Sequence, residues 1–484
     1  MQTLIAIGFL IDWTIRIGAL FVVPQNRKPS SATAWLMLIL LLPFIGLIIF
    51  IIFGSPKLNK QRRAMQKSMD KSIAEALYSN SSKHLYADFI AKDYPAKLYS
   101  FISLSKNLGG FPAFKGNGIE LLEDYDKTIK SIANDIKHAK QFVHIEYYIL
   151  AMDYTTECLF VEIEHAVKRG VKVRILFDAI GSRKYPLYKE MQERLTTIGV
   201  DWHTMLPLKL PGKNFNRPDL RNHRKIVVID GVIGYTGSQN LITRNYHRKD
   251  ELYYEELVAR LQGPIVMQLH ATFITDWCSE TNELLTRNTH PELLVDLRKN
   301  GSALAQVLPS GPGFDNDNNL KLFTSLIHAA NKKITIVNPY FVPDDSLITA
   351  ITSAAQRGVD VVMINSQIID QPLVGYAQRS YFDELLSAGV KLYQYDIPIL
   401  LHSKYMIIDN EIAVIGSSNL DMRSFQLDLE ITLVTYDDVV AVDLERVTKN
   451  YLKRAHILHL EDWRKRPIRL KLYENIARLT SAVQ

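Results

Sequence analysis

Two long apolar runs open the chain. Residues 36–53 are almost wholly Leu, Ile, Met and Phe, and residues 30–56 hold no charged side chain. Residues 3–23 are apolar too, interrupted by Asp12 and Arg16. A bilayer's hydrocarbon core is about 30 Å thick and takes roughly 20 helical residues to cross, so each run predicts a membrane helix. Asp12 and Arg16 stand four apart, share a helix face and can pair, which is the tolerable form of charge at that depth. Pro24, Pro29 and the polar residues between them predict the turn, giving two transmembrane helices over residues 1–56. Met1, Gln2 and Thr3 offer no basic leader segment, which argues against a cleaved signal. Lys57, Lys60, Arg62, Arg63 and Lys67 follow the second run, against Arg27 and Lys28 in the turn. The positive-inside rule then places the large remainder in the cytoplasm.

Residues 57–115 read as a juxtamembrane connector. Residues 61–78 favour helix, basic at first and then mixed, and residues 79–83 break it with Ser and Asn. Such a helix is either a plain linker or one lying on anionic lipid. Further on the pattern repeats. Residues 166–175 and 354–363 both read as a helix end, a glycine cap and a buried strand. Residues 142–150 and 333–342 both read as strands leading into helices. Strand, helix, strand occurs twice, so the fold class is α/β. Two tandem halves are expected, residues 116–300 and 301–484, each a mixed β-sheet flanked by helices.

Composition narrows the class. Of 484 residues, 47% are hydrophobic and 22% charged, which excludes disorder, collagen and coiled coil as the main class. Cys158 and Cys278 are too few for a disulfide framework or a cysteine zinc site and fit a reducing, cytosol-facing fold. The 57 Lys and Arg exceed the 51 Asp and Glu by 6, a mild surplus that suits an anionic partner, lipid or nucleic acid.

The strongest repeat carries chemistry. His223-Arg224-Lys225 opens an apolar run ending at Asp230, and Gly237-Ser238-Gln239-Asn240 follows after six intervening residues. His402-Ser403-Lys404 opens another ending at Asp409, with Gly416-Ser417-Ser418-Asn419 at the same spacing. On a strand, residues i and i+2 share a face, so His223 projects with Lys225 and His402 with Lys404. A turn and a returning strand bring Ser238 and Asn240, or Ser417 and Asn419, back beside them. Imidazole, ammonium, hydroxyl and amide on one surface make a phosphate-binding set. A working histidine also needs a carboxylate on its other nitrogen. Glu256 is expected to orient His223, and Glu430 to orient His402, since each opens an apolar strand downstream of its histidine. Asp230 and Asp409 complete the candidate catalytic set, and their place at strand ends suits holding the turn or the partner lysine.

These residues resemble the HxKxxxxD and GSxN signature of the phospholipase D superfamily, present here twice. Residues 27–35, 221–225, 308–312 and 463–467 make the chain look more narrowly like the bacterial cardiolipin synthases. The resemblance implies phosphatidyl transfer between two phosphatidylglycerols, giving cardiolipin and glycerol at the bacterial inner membrane. His223 is expected as nucleophile through a phosphatidyl-histidine and His402 as the acid and then the base. Lys225, Lys404, Asn240 and Asn419 would stabilise the charge on phosphorus-bound oxygens. No metal or other cofactor is expected, since His-x-Lys is not a metal-ligand pattern and no Gly-rich nucleotide loop stands out. The alternative acceptor is water, which would make a phospholipase D hydrolase releasing phosphatidic acid. Nucleic acid is not expected as a partner, because no basic tract lies outside the juxtamembrane and tail segments. In that tail Leu472, Ile476, Leu479 and Val483 share a helical face ringed by basic residues, either packed on the body or lying on anionic lipid.

Overall fold

A computed structural model describes residues 2–25, 27–78, 86–208, 215–248, 251–285, 290, 293 and 297–481. The chain divides into two units, residues 1–59 with 208–220, and residues 60–207 with 221–484.

In the first unit, α1 (Gln2–Val22) is a single helix, and its residues Thr3–Val22 are long and apolar enough to cross a membrane. The second apolar run is not one helix. It breaks at Leu42 into α2 (Pro29–Leu41) and α3 (Pro43–Phe53). Pro43 brings no N–H to the ladder and its ring pushes Leu42 out of the helical region, to φ −131° and ψ 73°. The pieces fold back on each other. The Trp35 and Phe50 rings lie 5.4 Å apart, and a Cβ on Gly46 would come within 2.8 Å of the Ile39 Cα. Arg27, ahead of α2, covers the Phe50 ring at 4.7 Å and donates to the Gly54 carbonyl beyond α3. At 1.5 Å per residue the two helices are about 20 and 16 Å long, too short for either to cross. The second apolar run, expected as one spanning helix, is thus a short helical hairpin in the structure. Arg16 pairs with Asp12 at 2.8 Å and also donates to the Leu40 carbonyl, one of those freed where α2 ends.

The second unit begins with α4 (Lys60–Tyr78) and α5 (Tyr99–Gly109). Its first half runs β1 (Phe114–Leu122), α6 (Tyr125–Lys137), β2 (Phe142–Tyr147), α7 (Glu157–Lys168), β3 (Lys172–Asp178), α8 (Tyr188–Thr197), β4 (Asp201–Met205), β5 (Arg221–Asn222), β6 (Lys225–Ile229), β7 (Ile233–Gly237), β8 (Tyr253–Glu255), β9 (Val258–Gln262) and α9 (Val266–Thr281). The second half runs β10 (Ala303–Ser310), α10 (Asn318–Ala329), β11 (Lys333–Val337), β12 (Phe341–Val342), α11 (Asp345–Gln356), β13 (Asp360–Ser366), α12 (Pro372–Ser380), α13 (Phe382–Ser387), β14 (Lys391–Tyr395), β15 (Ile399–Leu401), β16 (Tyr405–Ile408), β17 (Ile412–Gly416), β18 (Leu420–Asp421), α14 (Met422–Gln426), β19 (Asp428–Thr435), α15 (Asp438–Leu452), β20 (Ala455–Ile457), α16 (Leu460–Arg464) and α17 (Ile468–Arg478).

One mixed sheet joins the halves. Its order is β4-β3-β2-β6-β7-β9-β1 and then β10-β19-β17-β16-β11-β13-β14-β20. Seven strands of each half match one for one about the β1–β10 seam. The outer strands β2, β3 and β4 pair in parallel, as β-α-β crossovers require, while β6 and β7 form an antiparallel hairpin. The motif strands β6 and β16 are buried throughout, because helices cover the sheet and near-continuous Ile and Val suit burial on both faces. The expected connector is part of this unit: Arg62 of α4 makes a buried ion pair with Glu280 of α9. The break expected at residues 79–83 lies outside the described residues.

Candidate active site

The short segments leading into the motif strands cross between the halves. β5, just before His223, pairs in parallel with the start of β19 in the other half, and the His223 N–H donates to the Leu429 carbonyl at 2.8 Å. β15, just before His402, pairs in parallel with β8, and the His402 N–H donates to the Glu255 carbonyl at 2.7 Å. Each histidine backbone is thus pinned to the opposite half, and the side chains follow. His223 Nδ1 meets Glu430 Oε1 at 2.9 Å, and His402 Nδ1 meets Glu256 Oε1 at 2.8 Å. This reverses the expected pairing within each half. Glu256 and Glu430 do face the site, each on the histidine that its strand reaches across the seam.

Both lysines are buried and turn inward, Lys225 donating to the His223 carbonyl at 2.7 Å and Lys404 to the His402 carbonyl at 2.8 Å. Burial pushes Lys225 down to about 8, against the pull of Glu430 and Glu256. It pushes Lys404 down to about 7, against Glu256 and with Lys225 adding to the fall. The two His–Glu pairs are electrostatically unlike. Burial drives His223 well below the ordinary imidazole value, and Lys225 and Lys404 drive it the same way. Burial takes its partner Glu430 up to about 7, outweighing Lys225 and Ser417. Burial also lowers His402, but Glu256 opposes the fall. Glu256 lies below the usual carboxylate range, since His402, Lys404 and Ser238 outweigh burial.

Other expected residues take different places. The Ser417 hydroxyl donates to Glu430 Oε2 and accepts the Ile431 N–H at 3.0 Å. The Ser238 hydroxyl accepts the Leu257 N–H at 3.0 Å and lies beside Glu256, which it helps hold ionised. Expected on phosphate, these serines instead steady the carboxylates. Asn240 Oδ1 accepts the Ile149 N–H at 3.3 Å, and Asn419 Oδ1 is buried without a hydrogen-bond partner. Asp230 and Asp409 are not at the site. Asp230 accepts the N–H groups of Lys140, Gln141 and Phe142 at 2.8, 2.8 and 2.9 Å. Asp409 does the same for Asn331, Lys332 and Lys333. Five residues of extended strand put Asp230 about 16 Å from Lys225, so neither aspartate reaches its motif lysine. They correct the candidate catalytic set and hold the turns.

Sequence reasoning missed the flanks. On the His402 side the edges of Tyr254 and Tyr340 meet the imidazole at 5.4 and 5.9 Å, and both hydroxyls donate to Asp370, at 3.1 and 2.5 Å. Among the described residues the His223 side has one ring, Tyr148 at 5.3 Å, and beside it the ion pairs of Arg221 with Asp178 at 3.1 Å and Arg423 with Asp428 at 3.4 Å. Arg224, inside the motif, donates to the Glu430 carbonyl at 3.0 Å and pairs with Asp276. A signal for part of this was present. Arg244 and Arg423 each stand four residues after a motif asparagine, extending the repeat beyond the point where the motif ends.

Comparison with known proteins covers nearly the whole chain. The family described as "Cardiolipin synthase, PLD-like domain" matches residues 132–277 and 323–452, and the family described as "Phospholipase_D-nuclease N-terminal" matches residues 5–55. Cardiolipin synthase A of Proteus mirabilis (strain HI4320) is 34% identical over 472 residues, 97% of this chain and 96% of that one. Cardiolipin synthase A of Pectobacterium carotovorum subsp. carotovorum (strain PC1) is 33% identical, covering 96% and 95%. The crystal structure of phosphatidylserine synthase from Haemophilus influenzae Rd KW20 superposes with a TM-score of 0.61 at 16% identity, over 80% of this chain and all of that one, which is a likeness of fold.

Proposed function

This chain belongs to the cardiolipin synthase family of phospholipase D-like enzymes, and from that premise we propose that it transfers a phosphatidyl group between two phosphatidylglycerols, giving cardiolipin and glycerol. His223 Nε2 attacks phosphorus, the bond to the glycerol oxygen breaks, and that oxygen takes its proton from His402. Glycerol leaves a phosphatidyl-His223. The terminal hydroxyl of a second phosphatidylglycerol then gives its proton to His402 as its oxygen attacks phosphorus, and the P–N bond breaks. One phosphodiester replaces another, so the exchange needs no energy source. Lys225, Lys404 and the amide of Asn419 act on the phosphoryl oxygens.

The observation that carries this reading is the unlike pair of crossed His–Glu contacts. A nucleophile must be neutral, and burial with two lysines keeps the proton off His223. A general acid must hold a proton, and although burial lowers His402, the ionised Glu256 pulls it back up. Product analysis of the detergent-purified chain on phosphatidylglycerol in EDTA tests the reading. Cardiolipin with free glycerol, lost in His223→Ala and in His402→Ala, is expected. Phosphatidic acid in place of cardiolipin would move the function to hydrolysis.

The chain is associated with a bacterial membrane, and for its topology we propose one crossing by α1, with α2 and α3 a re-entrant hairpin. Arg27 joined to Gly54 puts both hairpin ends at one level. Arg27, Lys28, Lys57, Lys60, Arg63 and Lys67 then share one side, the cytoplasmic one by the positive-inside rule. The freed Leu40 carbonyl at the hairpin tip is answered by Arg16, as backbone within the bilayer requires.

A further inference from the structure

The outer face of α17 is apolar. Ile468, Leu472, Ile476 and Leu479 recur at helical spacing and are 73%, 56%, 61% and 83% exposed, with Tyr473 beside them. Packing on the body does not use this face. The opposite face buries Glu474 and Ala477, and Arg466 forks onto Glu474 at 2.6 and 3.0 Å. Val483, expected to extend the stripe, lies outside the described residues.

Two features identify what the stripe meets. The first is charge. Residues 460–481 carry Arg464, Lys465, Arg466, Arg469, Lys471 and Arg478 against Glu461, Asp462 and Glu474; Arg464 and Arg478 pair with Asp383 and Glu384, Lys465 with Asp462 and Arg466 with Glu474, while Arg469 is exposed beside the apolar row. The second is position. α17 packs on α12, with the Tyr376 and Tyr473 rings 6.4 Å apart. α12 starts two residues after Asp370, which receives the hydroxyls of Tyr254 and Tyr340 beside His402. Leu373, in the first turn of α12, is exposed as well. An apolar row with the exposed Arg469 beside it, on a helix packed against the one that leaves the rim of a phosphodiester site, matches a surface of acyl chains under anionic headgroups.

We propose that α17 lies in the interface of an anionic lipid leaflet, with Ile468, Leu472, Ile476 and Leu479 at the acyl boundary and Arg469 among the phosphates. It holds the His402 side of the site against the surface that supplies substrate, a role that rests on the phosphatidyl-transfer reading.

Depth measurement on the full-length chain tests the location. A nitroxide at Ile476→Cys, in a Cys158→Ser/Cys278→Ser background, is followed by power saturation in phosphatidylcholine vesicles with and without phosphatidylglycerol. The expected result is collision with oxygen over a water-soluble nickel complex in the phosphatidylglycerol vesicles, lost with Leu472→Glu/Leu479→Glu. A label that stays open to nickel in both vesicles would overturn the proposal, as would dipolar broadening in detergent, which would assign the stripe to a second copy of the chain. The Leu472→Glu/Leu479→Glu variant should lose about tenfold in turnover on vesicular phosphatidylglycerol and keep its turnover on dispersed short-chain phosphatidylglycerol. Equal loss on both would overturn it. The depth reading needs no product, so failure of the transfer reading shows separately, as no cardiolipin from the unmodified chain.

Discussion

Glu430, in the second half of the catalytic unit, holds the imidazole of His223, in the first, at 2.9 Å. Glu256 holds His402 in the opposite sense at 2.8 Å. Neither motif histidine finds its carboxylate within its own half, so each pair is completed only across the seam. Changing either glutamate to Gln should lower turnover about 10²- to 10⁴-fold. The crossing is read with a phosphatidyl ester of p-nitrophenol, whose leaving group needs no acid. Glu256→Gln and His402→Ala should keep a burst of p-nitrophenol and a labelled enzyme, while Glu430→Gln and His223→Ala lose both. Loss of the burst in Glu256→Gln together with His223→Ala, and its retention in Glu430→Gln together with His402→Ala, would mean that each glutamate serves its own half.

His402, the acid, and the two lysines share the alkaline side of the pH profile: burial lowers His402 from the ordinary imidazole value, so its proton is lost before the lysines discharge. Lys404 and Lys225 are pushed down to about 7 and about 8 by burial, so each loses its charge as pH rises through that value. Activity therefore falls on the alkaline side, and kcat/KM, which reports the free enzyme, falls first. A bound phosphodiester anion favours both ammonium groups, so the alkaline limb of kcat should lie at higher pH than that of kcat/KM. The acid limb should lie well below 6.5, because His223 stays neutral until then. Lys404→Arg cannot lose its charge in this range, so its residual kcat/KM should keep the fall set by His402 and lack the further fall near 7. A pH series on the unmodified chain and this variant checks both statements.

Most of the site was legible because its parts recur. The same spacing from His through Lys to Asn in two places named His223, Lys225, His402 and Lys404 without any structure. The partners were not legible, since β5–β19 and β15–β8 pairing joins residues about 200 and 150 positions apart, and no local period reports that. Asp230 and Asp409 were misplaced for a different reason: a motif groups residues by sequence, whereas an extended strand separates its ends. The Leu42–Pro43 break was visible in the sequence, but the length of the apolar run outweighed it.

The two turn aspartates give a prediction of stability without activity. Asp230 accepts three backbone N–H groups at φ 51°, a left-handed conformation that Asn and Asp tolerate better than other residues with a Cβ. Asp230→Ala should cost about 1–3 kcal/mol, the range for unpaired backbone groups, and leave turnover close to that of the unmodified chain. Thermal unfolding in detergent beside a product assay separates the two effects.

The docking of α4 is tested at one ion pair. Arg62 and Glu280 are both buried, and Glu280 also accepts the Leu206 N–H at 2.8 Å. Arg62→Ala leaves a buried carboxylate without its cation, which costs about 3–5 kcal/mol in such settings. Hydrogen exchange across residues 60–78 should quicken in the variant. Arg62→Met/Glu280→Leu, with similar volume and no charge, should restore protection.

The re-entrant hairpin makes a statement about sides. If α1 alone crosses, Thr3 lies outside the cell and Gln25 lies inside with the catalytic unit. If the second apolar run spanned as well, Gln25 would lie outside and Thr3 inside. Single cysteines at these positions, in a Cys158→Ser/Cys278→Ser background, should label oppositely with an impermeant maleimide on intact spheroplasts: Thr3→Cys reacts, and Gln25→Cys reacts only after lysis. Pro43→Ala returns an N–H to the break, but Gly46 still packs on Ile39 and Arg27 still binds Gly54, so the labelling pattern should persist. Arg16→Leu removes both the partner of Asp12 and the donor to Leu40. With water excluded, an unmet carbonyl and an unpaired carboxylate are each costly, so this variant should lose the hairpin's protection from labelling at Leu40→Cys before it loses activity in detergent.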